Sequence, residues 1–246
     1  MYDVLSSFYD KLADDFDYDL WAARYLELTE GAQSALECGC GTGSVSVRLA
    51  KRIPRLVASD ISEGMLRVAS EKARKHGVSP RFVLQDMRQI ALPRPADAIV
   101  APCDCVNYLL TDGDVRRFFQ SAFQNIRAGG TLAFDFSTGQ KLLGMCEKEL
   151  FFEDRDDITF LWRNTLQGDA RVLMELTFFV RQPGGAYRRF DERQVQRIHE
   201  LERLISLLKE VGFSDVAAYD ALSENPPHTD SQQILLRAKK PSENMK

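Results

Sequence analysis

The feature that most constrains the fold is the stretch Glu37–Gly43, with the sequence ECGCGTG. It directly follows an apolar run, Ala35–Cys38, and it precedes a helical pattern in which Val45, Leu49 and Ile53 recur four residues apart. Glycine at every second position permits positive φ angles and leaves no side chain between the backbone and a ligand. The stretch therefore predicts a buried strand, a ligand-binding loop and a helix, in that order.

Further short apolar runs alternate with helical periodicity up to about residue 136, which is typical of a parallel sheet covered by helices on both faces. The predicted strands after the first are Arg55–Ser59, Arg81–Leu84, Ala98–Ala101 and Thr131–Phe136. The sequence therefore predicts the α/β class.

After about residue 137 the apolar period changes from helical spacing to alternation by two. Between Arg171 and Arg181, every second residue is apolar, which predicts strands with one buried face. With glycine-containing turns on either side, this region predicts an antiparallel meander of three or four strands. The α/β pattern then resumes with a helix near Leu201–Val211 and two final strands.

These patterns divide the chain into three parts. Residues 1–33 are expected to form an N-terminal helical lid over the mouth of a site. Residues 34–138 and 198–246 are expected to form the α/β domain, and residues 139–197 an inserted antiparallel β subdomain. The 246 residues suffice to bury a sizeable core.

Composition excludes several classes of protein. A formal net charge of −4 argues against a general nucleic-acid binder, because neutralising phosphates requires a basic face. The first residues lack a basic start with an apolar core, and no apolar run has the length of a membrane span, so we expect a cytoplasmic protein with no membrane partner. Five cysteines, an odd number, favour free thiols over a disulfide framework. The oligomeric state stays open.

The glycine loop differs from a dinucleotide-binding loop in two ways. Ser44 stands where the G-x-G-x-x-G pattern has its last glycine, and Glu37 would repel a pyrophosphate but attract a cationic amine. Asp60 ends the second strand about 20 residues after the loop. This is the sequence separation at which the acidic residue of a nucleotide-binding fold bonds the ribose diol. The alternative is that Asp60 is only an acid at a helix N-terminus. A nucleoside without phosphates is therefore the favoured ligand.

Three polar or soft side chains, Gln85, Asp86 and Met87, follow the third strand. Asp86 is suited to accept a hydrogen bond from an exocyclic amine, and Met87 to pack on a purine face. Taken alone, this signal is weak.

The ordered stretches ECGCGTG, ASDISEGML, LQDMRQI, CDCVNYLL and GGTLAFDFST resemble the successive motifs of class I S-adenosylmethionine-dependent methyltransferases. The resemblance covers roughly residues 2–138 and 198–239, and FYDKLADDFDYDLWAARYL resembles the family's lid. It implies a Rossmann-like seven-stranded sheet of order 3-2-1-4-5-7-6 with strand 7 antiparallel and helices on both faces, with a β insertion after strand 5.

The resemblance also implies S-adenosylmethionine as the cofactor and assigns parts of its site. Glu37 and the glycines would line its methionine half, Asp60 would bind the ribose, and Ile61, Asp86 and Met87 would hold the adenine. Aromatic rings of the N-terminal segment can bind the cationic sulfonium. The candidate cofactor-binding residues are Tyr9, Tyr18, Trp21, Glu37, Cys38, Gly39, Gly41, Gly43, Asp60, Ile61, Met65, Gln85, Asp86, Met87 and Cys103.

The candidate catalytic residues are Asp104, Tyr108 and Asp135. Asp104 and Tyr108 follow the fourth strand at the sheet edge where open α/β folds bind ligands, so they are placed to contact the methyl acceptor. Asp135 ends the fifth strand and can act as a general base if burial raises its pKa, or else simply bond to nearby backbone. We expect a small-molecule acceptor with a nitrogen or oxygen nucleophile, methylated mainly by positioning.

Three alternatives compete with methyl transfer. The paired Cys38–Cys40 and Cys103–Cys105 motifs could bring four thiols together for zinc, but a metal there would fill the cofactor pocket, so no metal is expected. A nicotinamide-dependent oxidoreductase is disfavoured by Ser44 and Glu37. A non-catalytic module that binds the cofactor or a partner also remains open.

Overall fold

The computed structural model describes residues 6, 8–12, 16–148 and 150–242. Parts of the predicted lid, residues 1–5, 7 and 13–15, therefore lie outside the described residues. The helices are α1 (Tyr9–Leu12), α2 (Tyr18–Leu28), α3 (Ser46–Leu49), α4 (Glu63–Lys75), α5 (Asp112–Asn125), α6 (Gly139–Cys146) and α7 (Leu201–Val211). The strands are β1 (Ser34–Cys38), β2 (Arg55–Asp60), β3 (Arg81–Leu84), β4 (Ala96–Ala101), β5 (Ile126–Ser137), β6 (Phe151–Arg155), β7 (Ile158–Gln167), β8 (Arg171–Arg181), β9 (Tyr187–Arg197), β10 (Ser214–Asp220) and β11 (Gln233–Lys239).

In the described part of the chain, seven strands form a main sheet in the order β3-β2-β1-β4-β5-β11-β10. The first five strands pair in parallel, and β11 runs antiparallel to both β5 and β10. Numbered within this sheet, the order is 3-2-1-4-5-7-6 with strand 7 antiparallel. The fold class predicted from the sequence is confirmed.

Helices cover both faces of this sheet. Successive residues of a strand point to opposite faces, so neighbouring residues of one strand pack against different helices. Within β4, Ile99 packs in the core cluster that contains Phe118 of α5 and Leu204 of α7. The next residue, Val100, packs in the cluster on the other face with Tyr25 of α2. Each of these buried side chains contributes about 1.5–3 kcal/mol, which fixes the helices against the sheet.

Helix ends largely follow the local signals in the sequence. Ser62 caps α4 by accepting a hydrogen bond from Met65 N, and Thr111 caps α5 in the same way through Asp114 N. Gly212 ends α7 with a left-handed φ of 112°. Ile126 departs from the local pattern. Its spacing from Val115, Phe118, Phe119 and Ala122 predicts that all five share one helix face, whereas Ile126 is the first residue of β5 and has extended angles.

The inserted region of the described chain forms a separate four-stranded antiparallel sheet of order β6-β7-β8-β9. The alternating row of β8, from Val172 to Val180, is buried at every second position as the pattern predicts. This row packs with Leu142 of α6 and, at its edge, with Tyr9 and Leu12 of α1. The insert therefore presents one apolar face toward the rest of the protein. Among the described residues, no helix combines the length and apolar character needed to cross a membrane.

Candidate active site

A cavity of about 650 Å³ opens at the carboxyl ends of β1, β2 and β4 and extends under the inserted sheet. This is the edge at which open α/β sheets bind ligands. Three groups of side chains meet in it. The first group, from the glycine loop, the ends of β2 and β3 and the start of α4, includes Glu37, Gly39, Gly41, Asp60, Ile61, Met65, Gln85, Asp86 and Met87. The second group follows β4 and includes Cys103, Asp104, Cys105 and Tyr108. The third group, from α1, α2, α6 and the inserted sheet, includes Tyr9, Tyr18, Lys141, Met145, Phe160, Trp162, Met174, Leu176, Gln194 and Gln196.

The three loop glycines have positive φ angles, but each is needed for a different reason. A Cβ on Gly39 would lie 2.9 Å from Cys105 Cβ, and one on Gly43 would lie 2.8 Å from Ala69 Cβ. Gly39 therefore allows the two strand-end loops to approach, and Gly43 allows the loop to pack on α4. A Cβ on Gly41 would meet no atom within 4 Å, so Gly41 leaves open space for a ligand.

Glu37 is a buried carboxylate at the start of this loop, only 1% exposed. Ser46 Oγ donates a 2.5 Å hydrogen bond to it, which favours the charged form. Burial outweighs that bond and, with a smaller contribution from Asp60, raises the pKa of Glu37 to about 8. A cationic group bound beside Glu37 would compensate the buried charge.

Asp60 connects the loop to the start of α4. One carboxylate oxygen accepts from Gly41 N at 2.8 Å, and the other accepts from Ser62 N at 2.9 Å. Burial raises the pKa of Asp60, while these backbone bonds oppose the rise. Because each carboxylate oxygen has two lone pairs, Asp60 can hold the loop and still accept from a ligand.

At the ends of β2 and β3, the cavity combines an apolar surface with a hydrogen-bond donor that has no partner among the described residues. Ile61 is 59% exposed although it is large and apolar. Gln85 Oε1 accepts from Ala91 N at 3.0 Å, whereas the buried Gln85 Nε2 has no partner among the described residues. Arg88 pairs with Asp86 and holds the pKa of that carboxyl below its usual range. This end therefore offers an apolar wall and a donor to a flat heterocycle.

Asp135 does not line the cavity in the described part of the chain; it is fully buried beneath the loop that follows β4. Its carboxylate accepts from Cys103 N and Asp104 N, at 2.8 Å each, and from Tyr25 and Gln233 side chains. Cys103 and Asp104 have φ angles of 59° and 52°, which is costly for residues other than glycine. The placement favours a role for Asp135 in positioning that loop, rather than the general-base role its sequence position suggested.

Other candidates also lie behind the cavity surface. Trp21 lies on the buried face of α2, stacked between Phe16 and Tyr25, so it does not reach the ligand space that the described residues enclose. Cys38 and Gly43 support the loop from behind rather than lining the cavity. Tyr9, Tyr18 and Cys103 do line it.

On the side of the cavity toward the insert, the catalytic candidates Asp104 and Tyr108 contact residues of β5, α6 and β9. Asp104 accepts a 2.7 Å hydrogen bond from Ser137 Oγ and lies 3.9 Å from Lys141 Nζ. Burial raises the pKa of Asp104, and Lys141 and Ser137 oppose the rise. Tyr108 donates a 2.8 Å hydrogen bond to Gln194 Oε1 of β9.

Sequence reasoning missed the contributions of the end of β5, of α6 and of the inserted sheet, which are Ser137, Lys141, Trp162, Gln194 and Gln196. For part of this set, the signal appears only once the register of β9 on β8 is known. On β9, Gln194 and Gln196 are polar at the alternate positions that face the buried row of β8, since they are cross-strand partners of Met174 and Val172.

The cysteine thiols are not activated for metal binding or nucleophilic attack. Cys105 Sγ donates to Cys38 O at 3.6 Å, and burial raises the pKa of the Cys38 thiol to about 12. Protonated thiols are poor metal ligands and poor nucleophiles. Within the described ranges, no group of three or more His, Cys, Asp or Glu side chains is arranged to hold a metal ion.

Helix α1 is joined to both sides of the cavity. Asp10 accepts from Lys72 Nζ at 2.7 Å and from Thr42 Oγ1 at 2.6 Å. Lys72 also donates to Ser44 Oγ at 2.6 Å, so it connects α1, the glycine loop and α4. On the other side, Lys11 pairs with Asp157 of the insert.

Comparison with known proteins agrees with this geometry. A family described as methyltransferase domain matches residues 35–130. A protein of Geobacillus sp. (strain WCH70) whose name describes it as a methyltransferase is 31% identical over 97% of this chain and 99% of its own. The crystal structure of an S-adenosylmethionine-dependent methyltransferase from Clostridium acetobutylicum ATCC 824 is 27% identical, with a TM-score of 0.86 over 98% of this chain and 99% of that one. A dTDP-3-amino-3,4,6-trideoxy-α-D-glucopyranose N,N-dimethyltransferase of Streptomyces venezuelae is 26% identical over 81% of this chain and 84% of its own.

Proposed function

The chain belongs to the class I S-adenosylmethionine-dependent methyltransferases, and on that premise we propose that it methylates the amine of a small molecule bound between the main sheet and the inserted sheet. The likeness to a relative named as an amino-sugar N,N-dimethyltransferase supports an amine acceptor. The single observation that carries the proposal is Asp104, a half-buried carboxylate that shares one cavity with Glu37 and with the apolar wall of the insert.

The residues at the glycine-loop end fit the cofactor. Glu37 would pair with the ammonium of the methionine part, which compensates its buried charge. Asp60 would accept from the ribose hydroxyls, in charge-assisted hydrogen bonds of about 1.5–3 kcal/mol each. Gln85 Nε2 would donate to a ring nitrogen of the adenine, with Ile61 and Met87 against its faces.

When bound, S-adenosylmethionine supplies a methyl group on a sulfonium centre with a neutral thioether as the leaving group. What the protein must supply is alignment, and positioning of this kind can lower a two-body barrier by about 7–11 kcal/mol. Asp104 would accept a hydrogen bond from the amine and orient its lone pair toward the methyl carbon. Methylation of a neutral amine releases one proton from the nitrogen, and Asp104 would accept this proton because burial raises its pKa.

The apolar side chains of the insert complete the environment. Phe160, Trp162, Met174 and Leu176 line the cavity opposite the loop after β4. They would exclude water from the reacting atoms, which strengthens the charge interactions of Asp104.

The test is a labelled-methyl assay. Wild-type protein is incubated with methyl-labelled S-adenosylmethionine and a panel of small amines, each paired with the alcohol of the same skeleton. The proposal expects label in amines, at a rate that falls at least tenfold in Asp104→Asn and is unchanged in the control Asp230→Asn, which alters an exposed acid. Label in the alcohols alone would contradict the amine assignment.

A further inference from the structure

The inner face of β9 is polar where a buried strand face is normally apolar. Residues 192, 194 and 196 of β9 lie opposite Leu176, Met174 and Val172 of β8, so they share the face that looks into the cavity. Gln194 and Gln196 are 6% and 4% exposed. Buried polar side chains on an apolar face indicate a specific use, because each must find a hydrogen-bond partner.

Gln194 has its partners within the protein. Its Oε1 accepts from the Tyr108 hydroxyl at 2.8 Å, and its Nε2 donates to Glu192 Oε1 at 3.0 Å. Gln194 is therefore part of a network that links β9 to the loop after β4.

Gln196 differs from its neighbour. It lines the cavity, yet its buried Oε1 has no hydrogen-bond partner within the part of the chain that the structure describes. A buried amide left unpaired destabilises a protein unless a ligand satisfies it. The side chain directly opposite it on β8, Val172, is apolar and offers it no partner.

We propose that Gln196 determines acceptor specificity by hydrogen-bonding a hydroxyl of the acceptor, so that the substrates are hydroxylated amines with an apolar body. This inference rests on the proposed function. The amine would lie at Asp104, the hydroxyl at Gln196 and the apolar body against Trp162. A site built to bond a hydroxyl rejects the analogue that lacks it, since the analogue leaves the buried amide unpaired.

The experiment measures kcat/KM for matched amines with and without one hydroxyl: 2-phenylethanolamine against 2-phenylethylamine, and 2-aminocyclohexanol against cyclohexylamine. Wild type should prefer the hydroxylated member by about 10- to 100-fold. Gln196→Leu and Gln196→Met should lose that preference, with the hydroxylated amine slowed and the deoxy amine unchanged or faster. Gln167→Leu, which alters an exposed glutamine on the same sheet, should retain it.

Binding of S-adenosylhomocysteine checks that each variant is folded, since Gln196 lies on the other side of the cavity from the glycine loop. Two results would overturn the inference while leaving the proposed function in place: equal rates for both members of each pair in wild type, or an undiminished preference in both Gln196 variants. If wild type methylates no amine of the panel, the proposed function fails, and the inference fails with it.

Discussion

The hydroxyl of Tyr25 donates a 2.6 Å hydrogen bond to the buried carboxylate of Asp135. This contact joins α2 to the end of β5, and the same carboxylate accepts the backbone N–H groups of Cys103 and Asp104. The Asp135 carboxylate therefore holds Cys103 and Asp104, two consecutive residues with left-handed φ angles, next to the cavity. The geometry of Asp104 depends on a residue that does not itself reach the ligand.

We expect graded losses from breaking this arrangement. Tyr25→Phe removes one hydrogen bond and should lower the free energy of unfolding by about 1 kcal/mol, whereas Asp135→Ala leaves several buried donors unpaired and should lower it by about 2–5 kcal/mol. Urea denaturation measures both. Asp135→Ala should also reduce kcat more than it weakens cofactor binding, because the displaced group is Asp104. Equal stability losses in the two variants would show that the carboxylate does not organise the loop.

The raised pKa of Glu37 makes cofactor binding pH-dependent. Below about pH 8 the free protein holds a proton on Glu37, and binding of the cofactor ammonium favours its release. Affinity should therefore rise between pH 6 and 7.5, by at most tenfold per pH unit, and titration calorimetry in buffers of different ionisation enthalpy should detect the released proton. Glu37→Gln mimics the protonated state and should flatten this dependence.

The same pKa has a consequence for stability without ligand. The folded state holds the Glu37 proton more tightly than the unfolded state, whose pKa is near the ordinary 4.5. The contribution of Glu37 to stability is therefore complete below pH 4.5 and is lost as pH rises toward 8. Thermal melts should show Glu37→Gln gaining stability relative to wild type over that interval; a constant difference across it would contradict the assignment.

The contact between Asp10 and Lys72 predicts an effect on cofactor release. Both groups are partly exposed, so the pair contributes at most about 1 kcal/mol. Lys72→Met should speed dissociation of S-adenosylhomocysteine by about two- to fivefold in stopped-flow measurements. Lys75→Met, at an exposed position of the same helix, is the control and should have no effect. An unchanged dissociation rate in Lys72→Met would remove α1 from the control of release.

Asp60 should be tested with two substitutions, because it bonds both the loop and, as we propose, the ribose. Asp60→Asn keeps an acceptor and one loop contact but loses the charge, and should weaken cofactor binding by about 1.5–3 kcal/mol with little loss of fold. Asp60→Ala also frees Gly41 N and Ser62 N, so it should weaken binding further and lower the melting temperature. Wild-type affinity in Asp60→Asn would refute the ribose assignment.

The sequence predicted the architecture well because its elements carry strong local signals. The glycine loop, the caps at Ser62 and Thr111 and the alternation in β8 each determine local structure through nearby residues. The order of the strands is set by long-range pairing, and only the family resemblance supplied it. Ile126 was misplaced since one buried apolar residue satisfies a helix face and a strand equally well.

The site was predictable where residues follow strand ends and unpredictable where distant segments meet. Glu37 directly precedes the glycine loop and Asp60 ends the next strand, so their positions in the sequence predicted both at the cavity. Trp21 and Asp135 are residue types that suit ligands. Stacking with Phe16 and Tyr25 decides the role of Trp21, and the loop after β4 decides that of Asp135. Gln196 required the register of β9 on β8, which a single sequence does not contain.

The most direct test of the account is a crystal structure of the protein with S-adenosylhomocysteine. We predict the ligand amine within hydrogen-bond distance of Glu37, the ribose hydroxyls on Asp60, and the sulfur facing Asp104 across space bounded by Trp162. A ligand bound elsewhere, or one whose sulfur faces away from Asp104 and the inserted sheet, would contradict the shared cavity on which the proposals depend.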